Sequence, residues 1–214
     1  MAAFLDNFYA QIIATSGLEW TAVIFALGYV YLAAKQSLWC WLCAFLSTAI
    51  YTWLFWQVTL PFQALLNFFY MVMAAYGYYQ WTHGAKGGET ASVITLPKKV
   101  HALLVPSLLL CAFGLSKLAA SQFNSDHLLL DACIQMLSIT TTFMVAHKVM
   151  ENWVYWFFIN LASAYLYFQV GMALSSCLFL GYVGFSVYGF LQWRAQWLGY
   201  DESKQHHSSS KEYT

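Results

Sequence analysis

The chain has 214 residues, of which 61% are hydrophobic, 20% aromatic and 8% charged, and its nine basic and nine acidic residues cancel. A soluble domain carries about 25% charged residues, so this chain cannot cover a globular surface with them, and a basic nucleic-acid face is excluded as well. Its 17 Phe, 15 Tyr and 10 Trp place it equally far from a disordered chain, which leaves an all-α integral membrane protein.

In chain order, residues 1–18 lack the basic region of a signal peptide, and Asp6 interrupts their apolar run. Phe4, Phe8, Ile12 and their neighbours Leu5, Tyr9 and Ile13 recur at helical spacing and predict a short helix lying in the membrane interface. A spanning helix needs about 20 mostly apolar residues, because a hydrocarbon core about 30 Å thick is crossed at about 1.5 Å per residue. Seven stretches qualify: residues 19–34, 39–56, 60–81, 101–120, 131–146, 153–170 and 172–193. Residues 57–59 and Gly171 leave room only for tight hairpins, whereas residues 82–100 are polar and Gly-containing and read as an aqueous loop. The polar stretch 194–214 forms a tail, its last residues, 199–214, a mobile extension.

Seven spans put the termini on opposite sides. Lys35, Lys86, Lys98, Lys99, Lys148, Arg194, Lys204 and Lys211 fall on the side of the carboxyl terminus, and only Lys117 on the other. The positive-inside rule then sets the amino terminus outside and the carboxyl terminus in the cytoplasm. Cys40 and Cys43 form a C-x-x-C, but within a span this reads as two small buried residues, since a redox pair wants an aqueous, electropositive setting.

A shift of 112 positions aligns the two halves without a gap. Tyr76-Gly77-Tyr78-Tyr79-Gln80-Trp81 falls on Tyr188-Gly189-Phe190-Leu191-Gln192-Trp193, Tyr70 on Tyr182, Trp41 on Trp153 and Glu19 on Asp131. Each repeat (19–81 and 131–193) holds three spans, and the span within 82–130 restores the orientation of the second. The expected architecture is 3+1+3, two parallel three-helix repeats about an axis along the membrane normal, as in the sugar transporters called SWEETs. In such a protein the substrate sits near the midplane between the repeats.

Polar groups inside a bilayer are costly, so those present are either satisfied by the structure or used. Trp153, Trp156 and Asn160 share one helix face, and Trp41 and Thr48 stand 112 positions before Trp153 and Asn160. Gln63, Asn67 and Tyr70 share a second face, and the fifth span adds Gln135 and Thr142 beside Ser138, Thr140 and Thr141. Together they predict a wet pocket with rings for stacking and amides for hydrogen bonds. The plainer readings are that Trp39, Trp56, Trp81, Trp193 and Trp197 anchor the membrane interface, that the threonines bond back to their own helix, and that His147 and Glu151 are solvated at the inner end.

No carboxylate lies mid-span, where proton-coupled pumps keep one. There is no phosphate-cradling Gly-x-x-x-x-Gly-Lys loop, no acid/base or nucleophile pair assembles from the spans, and the six histidines are too scattered for a metal site. These patterns favour passive facilitated diffusion, with no cofactor, of a planar ligand. An aromatic cage of this kind also suits a cation, at about 2 kcal/mol once desolvated.

The run Lys148-Val149-Met150-Glu151-Asn152-Trp153-Val154-Tyr155-Trp156, with Asn160, Asp131, Leu137-Ser138 and Tyr76-Gly77…Trp81, resembles the PnuC family of bacterial nicotinamide riboside transporters. The resemblance covers all seven spans. It implies a protein of the bacterial inner membrane that moves nicotinamide riboside downhill, a cytoplasmic kinase that traps the substrate by phosphorylation, and a homotrimer. It also implies that Trp153, Trp156, Asn160 and Asn67 belong to the ligand site. The fifth span, with Gln135 and Thr140–Thr142, is more polar than the resemblance to a nicotinamide riboside carrier implies, and Leu38-Trp39-Cys40-Trp41 is similar to relatives proposed to carry thiamine. Thiamine or another B-vitamin therefore stands as the alternative substrate, and a membrane enzyme or structural membrane protein as the alternative class.

Overall fold

The computed structural model describes the backbone of residues 2–57, 61–83, 92–120 and 127–211, and the side chains of residues 6–57, 64–83, 92–120 and 127–199. Among these residues the chain forms eight α-helices: α1 (Ala2–Ala14), α2 (Gly17–Ala34), α3 (Trp39–Gln57), α4 (Pro61–His83), α5 (Lys98–Ala119), α6 (Leu128–Ala146), α7 (Asn152–Gln169) and α8 (Ala173–Lys211). Five are long and apolar enough to cross a membrane: α2, α3, α5, α6 and the Ala173–Gly199 part of α8. The other two long helices, α4 with 23 residues and α7 with 18, carry Gln, Asn, Tyr and Trp side chains that lower their mean hydropathy. Residues 58–59 of the expected hairpin at 57–59 and residues 84–91 of the loop at 82–100 lie outside the described residues.

Two connections show why the helices stop where they do. Lys35 and His147 close α2 and α6, and the next residues, Gln36 and Lys148, take positive φ of 53° and 52°. At both ends the following N–H groups reach back to the last helical turn, Ser37 N to Leu32 O and Gln36 N to Ala33 O, Val149 N to Met144 O and Lys148 N to Val145 O. This paired pattern satisfies the orphan carbonyls of a helix end through a left-handed residue. Two non-glycine residues adopt a strained conformation 112 positions apart, so the duplication seen in the sequence is also a duplication of backbone geometry.

Side chains at this end repeat the same relation. Trp81 Nε1 donates to Val145 O at 3.2 Å, and Trp193 Nε1 donates to Ala33 O at 3.0 Å. Trp41 meets Trp81 edge-on at 5.2 Å and 84°, Trp153 meets Trp193 at 5.6 Å and 85°, and Trp81 and Trp193 meet each other at 6.2 Å. Each of the outer indoles needs a glycine beneath it. A Cβ on Gly77 would lie 2.2 Å from the Trp41 ring, and one on Gly189 would lie 2.5 Å from the Trp153 ring. In consequence α2 packs on α3 and α8, α4 on α3 and α6, and α7 on α6 and α8.

Trp81 and Trp193 therefore correct one sequence expectation. They are 5% and 0% exposed, so they join the core at the ends of four helices rather than anchor the interface. Trp39 and Trp56, 68% and 66% exposed, have the exposure an interface anchor requires. In the tail, α8 continues as helix to Lys211. At the opposite end of the molecule α1 docks on α8, where Asn7 Nδ2 and Gln11 Nε2 donate to Gly171 O and Leu174 N donates to Gln11 Oε1. Gly171, at φ +77°, makes the turn between α7 and α8 that this clamp holds.

Candidate functional site

A cavity of about 290 Å³ lies between α2, α3 and α4 on one side and α6, α7 and α8 on the other. The two outer indoles of the tryptophan cluster, Trp41 and Trp153, form part of its wall. Their Nε1 atoms are buried without a hydrogen-bond partner among the described residues. The unpaired donor occurs once per repeat, and in both cases a glycine lies beneath the face of the ring.

Eight of the ten expected site residues line this cavity. Trp41 and Thr48 come from α3, Asn67 and Tyr70 from α4, Thr142 from α6, and Trp153, Trp156 and Asn160 from α7. Helical spacing explains the grouping: Trp153, Trp156 and Asn160 are three and four residues apart, so one face of α7 presents all three. Gln135 lies outside the lining, and its Nε2 instead approaches Asp131 Oδ1, one turn back on α6, at 3.5 Å. The side chain of Gln63 lies outside the described residues.

The two threonines at the wall have their hydroxyls engaged. Thr48 Oγ1 donates to Ala44 O at 2.8 Å, and Thr142 Oγ1 donates to Ser138 O at 2.8 Å, with Thr140 and Thr141 doing likewise to Met136 and Leu137. This is the back-bonding expected of threonine in a helix. Their methyl groups remain as wall, and each oxygen keeps a lone pair that can still accept.

Several lining residues escaped the sequence reading. Tyr182 was within reach, since it stands 112 positions after Tyr70. Phe179 was too, 112 positions after Asn67, whereas Tyr29, which tilts against Trp41 at 6.1 Å, and Tyr51 and Ser186 carry no such signal. A tyrosine or serine in an apolar helix does not announce which face it occupies. Among the described residues no aspartate, glutamate, lysine or arginine lines the cavity. Its chemistry is that of aromatic faces, hydroxyls and two amides, which can bind a flat ligand and hydrogen-bond its substituents, and which offers no group to cleave or protonate it.

Residues 16–195 match the family described as nicotinamide mononucleotide transporter. The chain belongs to this family. Its relatives include the nicotinamide riboside transporter PnuC of Escherichia coli (strain K12), 22% identical over 182 residues that cover 73% of this chain and 76% of the relative. The PnuC of Shigella flexneri matches to the same extent. In fold the chain is similar to the crystal structure of the vitamin B3 transporter PnuC, with a TM-score of 0.66 at 19% identity, covering 91% of this chain and 89% of the other. The resemblance read from the Glu151-Asn152-Trp153 run is thus borne out, and the family member is a membrane transporter, as its named relatives are.

Proposed function

We propose that the protein carries nicotinamide riboside across the bacterial inner membrane by facilitated diffusion. The observation that carries this is a cavity lined by aromatic rings and amides, lying between α2–α4 and α6–α8, in a chain of a transporter family. Nicotinamide riboside suits it: a planar cationic ring meets the faces of Trp41, Trp153 and Trp156, and its hydroxyls and carboxamide meet Asn67 and Asn160. With no carboxylate in the wall there is no proton acceptor to couple uphill movement. Uptake then proceeds down the gradient and is driven by a cytoplasmic kinase, because phosphorylation adds charge that the cavity cannot accommodate.

The same reading takes α2–α4 and α6–α8 as parallel repeats and α5 as the linking span, seven spans in a 3+1+3 order. The reciprocal Trp81–Val145 and Trp193–Ala33 bonds support it, since two copies joined by a two-fold axis along the membrane normal make each cross-contact twice. α4 and α7 serve as spans despite their lower hydropathy, because Asn67, Tyr70, Trp153, Trp156 and Asn160 face the cavity rather than lipid. The amino terminus lies outside and the carboxyl terminus in the cytoplasm, α1 rests in the outer interface, and three copies assemble as in the resembling family.

Proteoliposomes holding the matching kinase and ATP will accumulate labelled riboside, whereas empty ones will only equilibrate it. Accumulation without kinase under an imposed proton or sodium gradient overturns the passive mechanism. Binding of thiamine to the purified protein, with no binding of the riboside, replaces the substrate and leaves the mechanism standing.

A further inference from the structure

The cavity wall contains a hydrogen-bond relay in one repeat that the other lacks. Asn160 Nδ2 donates to Ser186 Oγ at 3.2 Å, and Ser186 Oγ donates to Tyr182 O at 2.8 Å. A serine hydroxyl has a single proton. Because that proton goes to the Tyr182 carbonyl, Ser186 meets Asn160 as an acceptor, and only the Nδ2 end of the amide can answer it. The carboxamide is thereby held in one of its two orientations. Its Oδ1 accepts no hydrogen bond among the described residues, although Asn160 is 5% and Ser186 2% exposed and both line the cavity. That oxygen is not one of the sealed polar atoms without a partner, so it is open to the cavity, where a donor on a ligand can reach it.

The positions 112 earlier are Thr48 and Ala74, also in the wall. Thr48 satisfies its hydroxyl on Ala44 O and Phe45 O of its own helix, and Ala74 has no polar side-chain atom. At some other lining positions the repeats keep the same residue, as at Trp41 and Trp153 or Tyr70 and Tyr182, and at others they differ, as at Val30 and Thr142 or Asn67 and Phe179. The relay is a one-sided departure from a two-fold frame, which is what discrimination between the two ends of an unsymmetrical ligand requires.

We infer that Ser186 is a positioning residue that fixes the Asn160 amide with its oxygen toward the ligand, so that the site selects a ligand presenting an O–H or N–H donor there. The inference rests on the transport reading above and names the ligand chemistry of that site. Nicotinamide riboside has two kinds of donor, the ribose hydroxyls and the carboxamide N–H. Without the Ser186 acceptor the amide is free to turn over, and it then greets donors and acceptors alike.

The test measures equilibrium binding of three probes to the full-length purified protein: nicotinamide riboside, its 2′,3′-di-O-methyl derivative, and nicotinic acid riboside. The native protein is expected to reject at least one of the altered probes by about tenfold or more, and the probe rejected identifies the donor read. Ser186→Ala brings that ratio to within about threefold, and Ser186→Thr, which keeps the hydroxyl, retains it. Alanine is the residue the other repeat carries at this place, so the variant is expected to fold. Ser186→Cys, the same in shape with a somewhat larger atom and a weak acceptor, is a second variant and follows alanine. Equal binding of all three probes by the native protein overturns the inference, as does an unchanged ratio in Ser186→Ala while riboside binding persists. If the folded native protein binds no riboside at all, the transport reading fails first and the inference falls with it.

Discussion

The helix ends that carry the tryptophan cluster and the cavity wall beside them are built on the same two-fold plan, yet they treat it differently. At the helix ends the repeats are near copies: Trp41 and Trp153, Trp81 and Trp193, Gly77 and Gly189, and a matched pair of left-handed residues. Along the wall they diverge, with Thr48 opposite Asn160, Val30 opposite Thr142, Asn67 opposite Phe179 and Ala74 opposite Ser186. Closing two identical units against each other requires each contact twice, so change in one copy breaks a pair. Holding a ligand whose two ends differ requires the reverse.

The largest effect is expected where that symmetry is tightest. Alanine in place of glycine normally favours a helix by about 1 kcal/mol. At Gly77 and Gly189 the added Cβ would overlap a buried indole, so Gly77→Ala and Gly189→Ala should each destabilise by about 1–3 kcal/mol. Gly184, also in α8, has nothing within 4 Å of a Cβ, and Gly184→Ala should be neutral or stabilising. Melting temperatures in detergent check all three. A stabilising Gly77→Ala beside a destabilising Gly189→Ala breaks the equivalence of the two ends.

The wall predicts the opposite, unequal behaviour at matched positions. Asn160→Thr gives the second repeat the residue of the first and should lower uptake by about tenfold or more while the protein stays folded. Thr48→Ala removes a hydroxyl already bonded to its own helix and should lower uptake by less than about threefold. Initial rates of labelled riboside entry into proteoliposomes distinguish them. Equal losses place both residues in the same role and remove the asymmetry.

How much of this was legible in the sequence follows from the same division. Span 39–56 against α3 (Trp39–Gln57), and 131–146 against α6 (Leu128–Ala146), agree closely because apolar runs end where turn residues begin. The register of the duplication was legible because packed pairs cannot drift independently. The fate of Trp81 and Trp193 was not, since an indole at the end of an apolar stretch looks the same whether it meets lipid headgroups or another helix. Gln135 was placed in the pocket on polarity alone, and Asp131, one turn away, offered it a partner that polarity does not reveal. Ser186 left no mark at all: a small hydroxyl acquires meaning only when Asn160 is seen beside it.

The smallest effect is expected where the helix ends themselves depart from symmetry. Gln36 and Lys148 share a backbone conformation but not a chemistry, and Lys148 is 6% exposed. Its Nζ donates to Gln36 Oε1 at 3.1 Å and lies 4.7 Å from the centre of the Trp81 ring. Burial holds its pKa below the usual lysine value. The charged form is therefore penalised in the folded state, in full below the folded pKa. As pH rises from there toward about 10.4, the unfolded chain binds more protons than the folded one, and stability rises. Lys148→Met removes that penalty at every pH and also removes the amide and ring contacts, so near neutral pH the two proteins should differ by no more than about 1–2 kcal/mol. The informative quantity is the trend: the melting temperature of the native protein should gain on that of Lys148→Met as the buffer becomes alkaline. A native protein that instead loses ground would mean the ammonium is stabilised where it sits, and that the join between Gln36 and Lys148 is held by charge rather than tolerated despite it.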